Sequence, residues 1–215
     1  AGWLGEVLAM TTVALRILSP LLILSAALVA GCDRVLNTLE LTGNVSGAAP
    51  QLIGSERLRV SLPETGAVAV LGPVSRNGDV TVWQTLDGIT LSFRQGVLIA
   101  TRGLGDDLMS ADVEGDIALL RGTDDSGYHP HIRSYLDGED RTVFRAYQCR
   151  RAGVAPSRVE TGGETAAVQR VEIFCVSPEH EFTNIFWLDA PGRVIKSRQW
   201  VSPMMQYMDT ERVAR

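Results

Sequence analysis

The sequence predicts a mainly β fold: an antiparallel meander forming a curved sheet, a sandwich or a partly open barrel, with little helix. Two observations carry most of this expectation. Between Asp79 and Asp112 apolar and polar residues alternate, with Ile89, Leu91 and Phe93 on one side and Thr90, Ser92 and Arg94 on the other. That period of two marks a half-buried strand. The runs are divided by Asn77-Gly78, Asp87-Gly88 and the weaker Gln95-Gly96. Such dipeptides suit hairpins, because a type I′ turn needs positive φ at both central residues.

The remaining elements follow in order. A short strand is expected around Leu58 to Ser61, then one from Ala67 to Val74 broken at Gly72-Pro73. Trp83 falls on the face opposite Val80 and Val82, where it packs in a core or lines a groove. In Gly103 to Asp112, Asp106 or Asp107 is expected to cap one helical turn, with Leu108 and Met109 inward. Read as a cation site, Asp106, Asp107, Asp112, Glu114 and Asp116 lack the spacing of a calcium loop. Residues 113 to 139 look loop-rich, with a strand near Ile117 to Leu120. His129-Pro130-His131 has no third ligand at a known spacing and reads as a turn. Further strands are expected at Thr142 to Arg150 and Ala167 to Ser177, around a polar turn region from Gly153 to Thr165. A hairpin pairs Ile185 to Leu188 with Arg193 to Val201, its last strand carrying Ser197 and Gln199 on one face and Arg198 and Trp200 on the other. MMQYMDTERVAR adds a final edge strand.

The 215 residues suit one domain, and 45% apolar with 21% charged content is that of a globular protein. A net charge of -5 with scattered arginines speaks against nucleic-acid binding. The N-terminus supplies an address. From Met10, the expected start, one positive charge at Arg16 precedes ILSPLLILSAALVA and Gly31-Cys32, with residues 1–9 as an upstream extension. This is a signal peptide of residues 1–31, its apolar run too short for a comfortable membrane span. Val29-Ala30-Gly31-Cys32 resembles a bacterial lipobox, whose cysteine thiolate accepts diacylglycerol. Cys32 is then the acylated mature N-terminus, followed by a tether over residues 32–50 and one β-rich periplasmic domain over 51–215. Two or three acyl chains suffice for stable anchoring in a bilayer. Asp33 after the cysteine leaves the inner membrane open as a destination.

Export places Cys149 and Cys175 in an oxidising compartment, where a bridge between their two strand-like runs is expected. No nucleophile elbow, phosphate loop, dinucleotide fingerprint or zinc spacing is present, so no catalytic residue, metal or cofactor beyond the covalent lipid is assigned.

Three stretches carry a family resemblance: WQTLDG from Trp83 to Gly88, GVLIATRGLGDDLMSAD from Gly96 to Asp112, and GRVIKSRQWVSP from Gly192 to Pro203. With the lipobox before them, they resemble the YjbF/GfcB family of lipoproteins, associated with group 4 capsule and exopolysaccharide loci. The resemblance implies a β-rich lipoprotein, by preference of the outer membrane, serving secretion or assembly of a surface polysaccharide without catalysis. Trp83, Arg102, Asp106, Asp107, Arg198 and Trp200 are the candidate contacts to a glycan or an export-machine partner, since aromatic faces stack on sugars and Arg or Asp bridge hydroxyls. Two other classes are a half-barrel carrier of lipid, which requires a dry cavity, and a periplasmic hydrolase, which requires two carboxyls facing across a cleft.

Overall fold

The computed structural model describes residues 49–124, 127–137, 139, 141–161 and 164–213. The signal peptide, Cys32 and almost all of the tether lie outside the described residues. The chain forms β1 (Arg57–Leu62), β2 (Ala67–Asn77), β3 (Val80–Gln84), β4 (Thr90–Arg94), β5 (Val97–Arg102) and β6 (Leu108–Asp112). Helix α1 (Glu114–Arg121) follows, then β7 (His129–Leu136), β8 (Thr142–Thr161), β9 (Glu164–Val176), β10 (Glu181–Leu188), β11 (Val194–Ser202) and β12 (Gln206–Val213).

All twelve strands join one antiparallel sheet in the order β5-β4-β3-β2-β1-β12-β11-β10-β9-β8-β7-β6. The mainly β expectation therefore holds, as a nearly closed barrel. First and last strands pair in its middle, from Arg57↔Val213 to Ser61↔Asp209. The MMQYMDTERVAR strand is thus interior to the sheet; no local pattern reveals a partner about 150 residues away. The two sheet edges, β5 and β6, are consecutive in the chain, and side chains stitch their seam. The Thr101 hydroxyl accepts from Leu108 N at 3.0 Å and donates to Asp107 at 2.7 Å. On the inner side, Gln199 of β11 accepts from Leu98 N at 2.8 Å and donates to Gly96 O at 2.9 Å. One amide thus takes the place of a neighbouring strand for an otherwise open β5 edge.

The hairpin turns differ in type from the sequence expectation. At β2–β3 positive φ falls on Gly78 (57°) and not on Asp79, the type II′ arrangement. The weakest signal, Gln95-Gly96, gives the turn with positive φ at both positions, 53° and 93°. Gly96 is required twice over, because a Cβ there would stand 2.6 Å from the Val194 side chain. Asp87-Gly88 belongs to a longer loop closed by Thr85 N to Ile89 O at 3.0 Å.

Three segments depart from the sequence reading. Residues 108–112 form β6 and not a helical turn, because Asp107 caps the preceding loop instead. The expected strand near Ile117 is α1. A short apolar run does not decide its own period, whereas Val113, Ile117 and Leu120 at i, i+4 and i+7 make a helical face. Gly122 ends the helix in the left-handed region at φ 69°. The expected turn region Gly153 to Thr165 is mostly strand: β8 runs through Thr161 and β9 begins at Glu164. The pairing of β8 with β7 ends at Cys149, and beyond that point β8 is paired only with β9. Polar residues and Pro156 are tolerated there because one backbone edge stays open.

Two buried clusters fill the interior. One joins α1 to β8–β11 through Ile117, Leu120, Ile173 and Phe186; the other joins β1–β5 to β12 through Leu58, Leu71, Leu91 and Met208.

Candidate functional site

The six predicted contact residues do not converge. Arg102 donates to the carbonyls of Thr101, Leu108 and Met109 and closes the seam. Asp107 accepts from Gly103 N, Leu104 N and Thr101, so it holds its own loop. Asp106 accepts from Met204 N at 3.4 Å. Arg198 is engaged on both arms by Asp209, at 2.7 and 2.9 Å, which raises its already high pKa. Trp200 is buried among His180, Phe182 and Tyr207, with ring centroids 4.4, 5.8 and 5.4 Å away. Trp83 is 2% exposed and belongs to the core, and it also borders a recess.

That recess lies at one end of the sheet. In an up-and-down sheet every second turn falls at the same end, and the recess of about 310 Å³ opens between the turns at Gly78-Asp79, Gln95-Gly96 and Pro191-Gly192. Trp83 and Phe93 floor it, and Arg76, Arg121, Arg193 and Arg212 stand around it. The turn residues are fixed by one clamp: Asp79 accepts from Gln95 at 2.8 Å and from Arg94 at 2.9 Å. The Gln95 amide first, then the Arg94 guanidinium, hold the Asp79 carboxyl below the usual carboxylate range. Arg212 lies 5.7 Å over the Trp83 ring and donates to Val194 O at 3.0 Å. Arg76 and Arg212 share a single carboxylate, Glu56, each at 3.6 Å. Arg193 is paired with Asp189 at 2.8 Å. Arg121, the exposed last residue of α1, bonds to no other described residue. A second depression of about 330 Å³ adjoins through Arg193 and Arg212 and adds Arg57 and Glu56.

Sequence reading missed these arginines because Arg76, Arg121, Arg193 and Arg212 lie far apart along the chain. One signal was present: Arg76 and Arg193 each flank a hairpin turn that the alternation of a meander places at the same end. The opposite end has a different character, with Leu86 80% and Met204 65% exposed and an apolar recess of about 200 Å³ lined by Leu62, Leu71, Leu91 and Leu104.

Beneath α1 lies a constellation that resembles catalytic machinery without being accessible. His131 and Asp116 are both fully buried, with Nδ1 to Oδ2 at 2.5 Å. Arg133 Nε donates to His131 Nε2 at 2.7 Å. An acceptor at Nε2 places the ring proton on Nδ1, donated to Asp116. The guanidinium also donates to Trp200 O at 2.8 Å and Val201 O at 3.0 Å, and Tyr135 donates to Val201 O at 2.8 Å. Those carbonyls belong to the stretch where the β11–β12 register shifts, between Trp200 and Ser202. Arg133 and Tyr135 satisfy backbone groups that the bulge leaves unpaired. The expected His129-Pro130-His131 turn is therefore the start of β7, and His131 bridges the buried Arg133 and Asp116 instead of decorating a surface.

Cys149 and Cys175 face each other across β8 and β9 and are bonded. Asp116 lies close to both sulfurs, but sulfurs joined in a disulfide are not thiolate ligands.

The fold is similar to that in the crystal structure of the hypothetical lipoprotein YmcC from Escherichia coli (K12), at 20% sequence identity, TM-score 0.57, and coverage of 74% of this chain and 83% of that one. No curated protein matches the chain. The family described as Group 4 capsule polysaccharide lipoprotein gfcB, YjbF matches residues 50–213, the whole strand-built body, and the chain belongs to that family.

Proposed function

We propose that the protein is an envelope lipoprotein, anchored through acyl chains on Cys32, that supports export or assembly of a capsular or extracellular polysaccharide by binding a glycan segment and catalyses no reaction. The observation that carries this reading is the match of a capsule polysaccharide lipoprotein family over residues 50–213. The arginine-ringed recess supplies the contact surface in place of the scattered residues expected from sequence. A hydrolase reading is disfavoured, because the recess is lined by one carboxylate, Asp79, already engaged by Gln95 and Arg94. A carrier reading is disfavoured too, because Arg133, Phe186, Ile173 and Met208 fill the interior where an amphiphile would lie.

A strain lacking the gene, assayed for surface polysaccharide, tests the role. Loss of polysaccharide that the full-length gene restores is expected; normal output would refute the reading. Anchoring has its own test, since Cys32→Ser should abolish palmitate labelling.

A further inference from the structure

Resting on that reading, we infer that the recess at the Gly78, Gln95 and Gly192 end binds an acidic sugar unit, one bearing a carboxylate or a phosphate. The chain as a whole is acidic, with 20 Lys and Arg against 25 Asp and Glu. The recess and the depression beside it reverse this balance: Arg57, Arg76, Arg121, Arg193 and Arg212 line them, against Asp79 and Glu56. Local accumulation of one sign in a cleft, opposite to the molecule's own, focuses an attractive field on an anion. The carboxylates nearby do not cancel it. Glu56 is divided between two guanidinia at 3.6 Å, and Asp79 is turned toward Arg94 and Gln95. Arg121 bonds to no other described residue, and Arg193, 74% exposed at its side chain, exchanges its contact with Asp189 for a ligand at small cost.

Arginine is suited to this task because its planar fork meets carboxylate or phosphate oxygens with two parallel hydrogen bonds. A volume of about 310 Å³ lies at the small end of ligand pockets, which fits one or two sugar rings. The recess is concave with an aromatic floor, a form that receives an inserted unit better than the flat face of a bilayer.

The test is calorimetric titration of the purified full-length lipoprotein, in a detergent without a sugar headgroup, with tetragalacturonate, glucose 1-phosphate and maltotetraose. At least one acidic probe should bind about tenfold or more tightly than maltotetraose, weaken as salt is raised, and lose about tenfold in the R121Q/R193Q double variant with no change in melting temperature. The two acidic probes distinguish carboxylate from phosphate as the recognised group. Equal binding of maltotetraose, no binding of either acidic probe, or undiminished binding by the double variant would each overturn the inference. So would recruitment to phosphatidylglycerol vesicles, lost in the double variant, without binding of either acidic probe. A deletion strain that loses surface polysaccharide while these titrations fail would leave the export role standing and remove only the acidic ligand; normal polysaccharide in that strain would remove the role itself.

Discussion

Arg133 under α1 and Arg121 at the end of α1 carry the same guanidinium in opposite circumstances. Arg133 is 1% exposed and is surrounded by His131, Tyr135 and the carbonyls of Trp200 and Val201. Its charge is balanced through His131 by the buried Asp116. Arg121 faces water and bonds to no other described residue. A buried charge held by the fold's own groups is part of the architecture, since losing one of those partners leaves an uncompensated group in a medium that solvates it poorly. An exposed charge such as Arg121 gains little for the fold, so its value lies in what it attracts. The presence of a histidine and an aspartate 2.5 Å apart would by itself suggest catalysis; burial and the identity of the third partner decide otherwise.

The largest effect should follow from breaking the buried side of this comparison. Arg133→Ala leaves Trp200 O and His131 Nε2 without their donor and the buried Asp116 without a countercharge, and should cost about 3–5 kcal/mol in chemical denaturation of the full chain. A loss below about 1 kcal/mol would mean that the network is not what holds α1 and β11 together. Replacing both Cys149 and Cys175 by alanine, in the same half of the core, should cost about 3 kcal/mol by opening a cross-link with a sequence separation of 26; unchanged melting would contradict that. Gln199→Leu should cost about 1–3 kcal/mol and release the Leu98 amide to hydrogen exchange, because the β5 edge loses its substitute partner. Protection of Leu98 in that variant would show that the seam closes by other means. Arg121→Gln, on the exposed side, should alter stability by no more than about 0.5 kcal/mol.

The smallest effect concerns pH. The Asp79 carboxyl is held below its usual range in the folded state, so its clamp favours folding above the unfolded-state pKa, and that contribution fades as pH falls through the folded-state value. Amide exchange at Gln95 and Gly96, corrected for intrinsic rates, should therefore accelerate on acidification in wild type and be insensitive to it in Asp79→Asn.

The sequence carried the strand content, the hairpin of β10 and β11, and the pairing of Cys149 with Cys175, because each rests on local alternation or on residues in adjacent runs. It did not carry α1, whose four apolar residues suit either period, nor the β1–β12 pairing, which joins the two ends of the chain. Trp83 was legible as a core or groove residue, and its 2% exposure puts it in the core. Trp200 and Arg198 were not legible as structural, because the β11–β12 irregularity and the Asp209 partner are tertiary facts. The arginine recess was the least visible, since it exists only after the meander brings alternate turns to one end.

The account depends most on the claim that this arginine-ringed end is the working surface. The direct measurement is surface polysaccharide in a deletion strain carrying the full-length R121Q/R193Q gene, with the protein's envelope level measured alongside. The account predicts wild-type protein level with polysaccharide reduced several-fold toward that of the deletion strain. Wild-type polysaccharide from that strain would contradict it.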